Sequence, residues 1–149
     1  MRALVATIIV LCACHQEPKH AIPTIYELPN GFTGWVTVEY AVPAAAALPE
    51  ERGARVIRIP PDARLQTSSP QWLGIVDNRF YFVDGTGRRT PIDDREATPD
   101  AAPNEAGKSH DHPVVLRFET GDMTDATGRH VFERFYVGLG PAGEPPGWR

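Results

Sequence analysis

Short runs of alternating apolar and polar residues, with no three-turn amphipathic helix anywhere, constrain this chain more than any other feature. In Thr33–Val42, Val36, Val38, Tyr40 and Val42 point one way and Trp35, Thr37, Glu39 and Ala41 the other. A second strand is predicted over Arg55–Ile59, with Ile57 and Ile59 on one face, and an extended segment over Arg64–Ser69. Arg79–Asp84 and Arg88–Ile92 flank Asp84-Gly85-Thr86-Gly87, a hairpin signal. Pro113–Glu119 has Val114, Leu116 and Phe118 alternating inward, and Gly121–Gly128 joins it to the aromatic-rich His130–Gly138. Six or seven such strands predict an all-β fold: a small antiparallel β-sandwich of transthyretin-like or immunoglobulin-like kind.

The breaks between strands agree. The 13 glycines and 15 prolines fall mainly between patterned segments. Gly31 and Gly34 suggest a turn and a close backbone approach, and Pro60-Pro61-Asp62-Ala63 a turn in which proline pre-sets φ. Pro43–Gly53 has room for one helical turn between its prolines. Asp93–Pro113 holds acids, Ala, Pro, Asn, Gly and Ser, with almost nothing able to enter a core, and reads as a long polar surface loop. Residues 141–149 read as a flexible C-terminal tail, with Trp148 able to fold back.

The N-terminus has a different character. Arg2 precedes an uncharged apolar run, Ala3–Leu11, that closes on Leu11-Cys12-Ala13-Cys14. The run is about a dozen residues long, short of the roughly 20 a membrane span needs, and His15-Gln16-Glu17-Pro18-Lys19 ends it sharply. Leu11 is large for the position three before an ordinary signal-peptidase cut after Ala13, which weakens the alternative of a secreted or periplasmic protein without lipid. The tetrapeptide is similar to a bacterial lipobox, which would cleave residues 1–13 as a signal peptide and leave Cys14 as a lipidated (palmitate-bearing) first residue. Cysteine usage fits: Cys12 is lost with the leader, so Cys14 has no disulfide partner, and lipid occupies a thiol otherwise exposed to an oxidising envelope. A tether over 14–30 would follow, then the sandwich over 31–140, carrying the polar loop at 93–113.

Removing residues 1–13 takes away Arg2 alone among the charges, so the formal −4 becomes about −5. That argues against nucleic acid or an anionic surface as the main partner. The remaining roughly 136 residues suffice for one domain with a modest core.

Gly31-Phe32-Thr33-Gly34-Trp35-Val36, Ile59-Pro60-Pro61-Asp62, Thr67-Ser68-Ser69-Pro70, Tyr81-Phe82-Val83-Asp84 with Gly87-Arg88-Arg89, and Phe135-Tyr136-Val137-Gly138 follow one another in this chain. In that order they resemble an uncharacterised family of small bacterial domains, often lipoproteins or secreted proteins. The likeness covers about residues 28–92 and the final strand. It departs at Asp93–Pro113, as an insertion would, and at Ala63, where a turn glycine is expected. The resemblance implies no catalytic or ligand residues.

Few constellations carry chemistry. His110-Asp111-His112 is the metal candidate: alternate histidines on a strand share a face, with His130 a distant third ligand. Its position in a polar loop favours a solvated segment. Asp122–Gly128 lacks the alternating ligands and bidentate Glu of a calcium loop. Ser68 and Ser69 have no nucleophile-elbow context, and their hydroxyls suit backbone hydrogen bonding. Glu39, Asp77 and Glu119 are polar strand positions whose spatial pairing sequence does not show. Trp35, Trp72, Phe80 and Tyr81 suit a core more often than a binding groove.

The expectation is a lipid-anchored envelope protein, non-enzymatic, without a cofactor. It would hold the membrane through Cys14 and bind an envelope protein or surface polymer, or serve structurally. His15 after the lipidated cysteine implies the outer membrane in a double-membraned cell. The alternatives are a periplasmic metal binder using His110 and His112, and an envelope hydrolase with dispersed carboxylates.

Overall fold

The structure, a computed structural model, describes residues 23–72, 77–95 and 108–147. Cys14 and its leader lie outside these residues. Among the described residues nine strands occur in chain order: β1 (Thr24–Pro29), β2 (Gly34–Tyr40), β3 (Glu50–Glu51), β4 (Ala54–Arg58), β5 (Arg64–Gln66), β6 (Asn78–Val83), β7 (Arg89–Asp94), β8 (Val114–Asp125) and β9 (Gly128–Gly138). Alternation does the local work. In β2 the β-branched and aromatic residues Val36, Val38 and Tyr40 are buried while Trp35, Thr37 and Glu39 face out.

The strands form one mixed sheet in the order β3-β4-β1-β6-β7-β8-β9-β2-β5. The halves β3-β4-β1-β6-β7 and β8-β9-β2-β5 are joined by a two-residue parallel contact, Asp93↔Val114 and Asp94↔Val115. The sheet curls so that the halves face each other around an aromatic core. Tyr26 stacks on Phe80 at 4.6 Å and meets Phe135 edge-on at 5.2 Å; Phe118 stacks on Phe135 at 6.0 Å. Each such pair adds roughly 0.5–1.5 kcal/mol beyond the area it buries. The all-β, sandwich-like reading therefore holds, with curl supplying the second layer.

Beyond β5, Thr67–Ser69 fastens the loop after β2. Thr67 Oγ1 donates to the Ala46 carbonyl at 2.8 Å, and Ser69 Oγ accepts from Leu48 N at 2.9 Å. The Ser69 hydroxyl thus satisfies a backbone group as its context suggests, whereas Ser68 contributes its backbone N–H, to the Ala46 carbonyl at 3.2 Å.

Several expectations need correction. The pairing is not uniformly antiparallel: β1 runs parallel to β4 and β6, β2 to β5, and β7 to β8. Residues 24–29 of the expected tether form β1, an inner strand that buries Tyr26 and Leu28. Pro23 and Pro29 bound this strand and disguised it as a linker. Glu50–Glu51 is a short strand rather than part of a helical turn. Gly121–Asp125 is strand, not connection, and the reversal is confined to Ala126-Thr127. A register irregularity between Val115 and Arg117 breaks the simple alternation, so Val114, Val115 and Leu116 are all buried. Ala63, in its expected glycine position, does adopt a left-handed φ of 61°.

Candidate functional site

The outward faces of β5, β2, β9 and β8 frame a groove of about 470 Å³. Strand register decides its lining. Thr37 and Glu39 on β2 lie opposite Arg134 and Phe132 on β9, while Arg64 and Gln66 on β5 flank Thr37 and Glu39. Pro146 and Gly147 from the tail close one side.

His130 organises the far end. Its Nδ1 lies 2.5 Å from Glu39 Oε1, and its Nε2 lies 3.1 Å from Asp125 Oδ1 and 2.9 Å from Thr127 Oγ1. An imidazole with a carboxylate at each nitrogen favours the doubly protonated ring, because only that form donates at both positions. The Glu39 hydrogen bond first, then Asp125, raises the His130 pKa above its ordinary 6.5. Burial alone would lift the Glu39 carboxyl, but His130 and the Gln66 amide outweigh it and hold it below its ordinary value. Asp125 is brought down to about 2, chiefly by the Thr127 hydroxyl and then by the Thr127 backbone N–H and His130.

Glu39, His130 and Thr127 superficially match an acid–base–hydroxyl triad. The Thr127 hydroxyl, however, donates to Asp125 Oδ1 at 2.6 Å, and Thr127 N donates to the same oxygen at 2.7 Å. This is the local capping geometry of a hairpin turn. The hydroxyl proton is directed at a carboxylate rather than at the ring, so the cluster acts as an ion-paired clasp from β2 to the β8–β9 hairpin tip. Arg134, its guanidinium 4.9 Å from the Phe132 ring and opposite Glu119, continues the charged face.

The other half carries a second network on its outside. Arg58 Nε lies 2.9 Å from Glu27 Oε2, Arg58 also pairs with Glu51, and Arg89 pairs with both glutamates. Arg89 sits 5.9 Å from the Tyr81 ring. The opposing charges compensate one another across β1, β3, β4 and β7.

The residues singled out from sequence scatter. The Nε2 of His112 faces Asp93 Oδ2 at 3.3 Å and its Nδ1 faces Asp111 Oδ1 at 2.6 Å, which engages both of its nitrogens. These two carboxylates, Asp93 first, raise its pKa. His110 donates its backbone N–H to the Leu139 carbonyl at 2.6 Å. His130, the distant third histidine, belongs to the Glu39 clasp instead. Among the described residues no group of three or more His, Cys, Asp or Glu side chains is placed to hold a metal. Asp122 pairs with Arg129 at 2.9 Å along the hairpin. Asp77 pairs with Arg79 at 2.6 Å, Phe80 is core, and Tyr81 and Trp35 face outward. Asp125 and Thr127 come from the Asp122–Gly128 stretch weighed only as a calcium loop, and Gln66, Arg64 and Arg134 carry no signal in the sequence. The period-2 alternation through Trp35, Thr37 and Glu39 does put these three on one outer face, but nothing local links them to β9 or β5.

These features define a small curled β-sandwich with an ion-paired groove on its outer face. The chain belongs to DUF6843, a family of unknown function, which matches residues 20–138. It is similar to a crystal structure reported as "Putative Lipoprotein from Bacillus anthracis", with 27% identity and a TM-score of 0.57, over 76% of this chain and 68% of that one. No curated protein matches it.

Proposed function

We propose that this protein is a lipid-anchored component of the bacterial cell envelope whose β-domain is a non-catalytic binding module. The observation that carries the reading is Leu11-Cys12-Ala13-Cys14 closing an uncharged apolar leader. Similarity to the Bacillus anthracis protein reported as a "Putative Lipoprotein" supports it. Lipid on Cys14 would anchor the chain, and two or more acyl chains are needed for stable attachment. His15 directs the anchored protein to the outer membrane in a double-membraned cell. The groove beside Glu39 and His130 would then be offered to an envelope protein or surface polymer.

The test is Cys14→Ser, read by labelled palmitate and by fractionation. The native protein should take up label and sediment with membranes; the variant should do neither. A Cys14→Ser chain that stays with the membrane as before overturns the anchoring.

A further inference from the structure

The chain that leaves β9 lies beyond the family match, which ends at residue 138. It reads Leu139-Gly140-Pro141-Ala142-Gly143-Glu144-Pro145-Pro146-Gly147. Three prolines fix φ and remove backbone donors, so the segment cannot add a strand to the sheet; it favours the extended polyproline II form. Instead it crosses the outer face. The Leu139 carbonyl accepts from His110 N at 2.6 Å, and the Gly143 carbonyl accepts from Trp35 Nε1 at 3.2 Å. Pro146 and Gly147 then enter the groove wall.

Trp35 and Tyr136 are cross-strand partners with rings 5.6 Å apart at 62°. An aromatic pair with an indole N–H aimed at a main-chain carbonyl is the chemistry by which polyproline II segments are recognised. Their carbonyls are not engaged internally, and their rigidity keeps the entropy cost of docking low. The tail is lightly held: Pro141, Gly143, Glu144, Pro146 and Gly147 are all exposed. A segment with so little buried contact opens at low free energy. The groove that Pro146 and Gly147 enter is also lined by Arg64, Glu39 and Asp125.

We infer that the Trp35–Tyr136 pair is a docking site for an extended, proline-rich segment of another protein, filled in cis by residues 139–147 until that segment displaces it. The inference rests on the binding-module reading above but not on the anchor.

The test releases the tail within the full chain, with Pro141, Pro145 and Pro146 all replaced by Ser. The probe is a synthetic peptide copying residues 139–149, and the readout is the Trp35 indole N–H resonance, assigned with Trp35→Phe. A tethered competitor acts at about millimolar effective concentration, so the peptide should bind the released chain at least about fivefold tighter than the native one. Adding Trp35→Phe to the released chain keeps an aromatic ring but loses the N–H and with it the resonance; read by calorimetry instead, its peptide binding should be about fivefold weaker than that of the released chain. A peptide with serines for its prolines should bind markedly less. The inference is overturned if the released, folded chain shows no Trp35 shift at millimolar peptide, or responds equally to the serine peptide. It is also overturned if the released chain's apo Trp35 resonance matches the native one, since the tail would then not occupy the pair. Peptide binding without palmitate labelling would remove the anchor and keep the docking site; the reverse result would do the opposite.

Discussion

The Tyr26 hydroxyl donates to Glu133 Oε1 at 2.6 Å, linking β1 to β9 through the middle of the core. Tyr40 hydrogen-bonds the same carboxyl. Glu133 is only 5% exposed, and burial pushes its pKa up to about 7, against the opposing pull of the two tyrosines and Arg55. A carboxyl that stays protonated in the folded state and ionises near 4.5 when unfolded binds more protons folded. Its contribution is therefore fully present below pH 4.5 and lost as pH rises through about 7.

Glu133→Gln keeps a hydrogen-bond acceptor for both tyrosines without an ionisable group. We expect urea unfolding of the variant to lose this pH dependence. Relative to the native chain it should gain about 3 kcal/mol between pH 4.5 and pH 8. Parallel stability–pH curves for the two proteins would show that Glu133 does not titrate in the core.

The clasp at His130 has the opposite pH signs built into it. The raised imidazole stabilises below its ordinary value and loses that contribution as pH rises through its folded value. Glu39 and Asp125, held low, contribute above the ordinary carboxylate range and lose it as pH falls. The clasp should be tightest between these limits, in mildly acidic solution. Glu39→Gln should bring the His130 titration back down, followed by the ring proton shifts; an unchanged midpoint would sever the link between these residues.

Phe135 is fully buried and touches Tyr26, Phe80 and Phe118. Phe135→Ala should cost about 3–5 kcal/mol in urea unfolding. A loss below about 1 kcal/mol would mean that the halves do not depend on this contact.

Backbone strain offers a gain instead. Ala41 is exposed at φ 57°, and Arg52, before Gly53 at φ 79°, sits at φ 50° in the two-residue β3–β4 turn. Paired positive φ values are the signature of a type I′ turn, which prefers Asn-Gly. Ala41→Gly and Arg52→Asn should each stabilise the fold by roughly 0.5–1 kcal/mol, measured by thermal unfolding; destabilisation by either would contradict these backbone angles.

What could be read from sequence follows from how far each signal travels along the chain. β2 and the Asp84–Gly87 turn were legible because alternation and turn chemistry are local. β8 was read short because its apolar alternation stops at Phe118, while the strand runs on as a polar ribbon. There Gly121 lies opposite Phe132, whose ring fills the glycine's side, 3.1 Å from where a Cβ would be. β1 hid because Pro23 and Pro29 bracket it as they would a linker, and Ile25 beside Tyr26 blurs its short alternation. Glu133 looked like any strand acid, since its tyrosine partner is 107 positions away. Glu39 and His130 are 91 positions apart and meet only through the β2–β9 register.

The position of β1 sets how the domain bears load. Its two neighbours, β4 and β6, both run parallel to it and both come later in the chain. A pull on Pro23 is therefore taken along the strand, in shear across both ladders at once, rather than peeled from a free edge one bond at a time. A domain held by its N-terminal side in a moving envelope would grip through its strongest direction, leaving the short outer strands β3 and β5 unstressed.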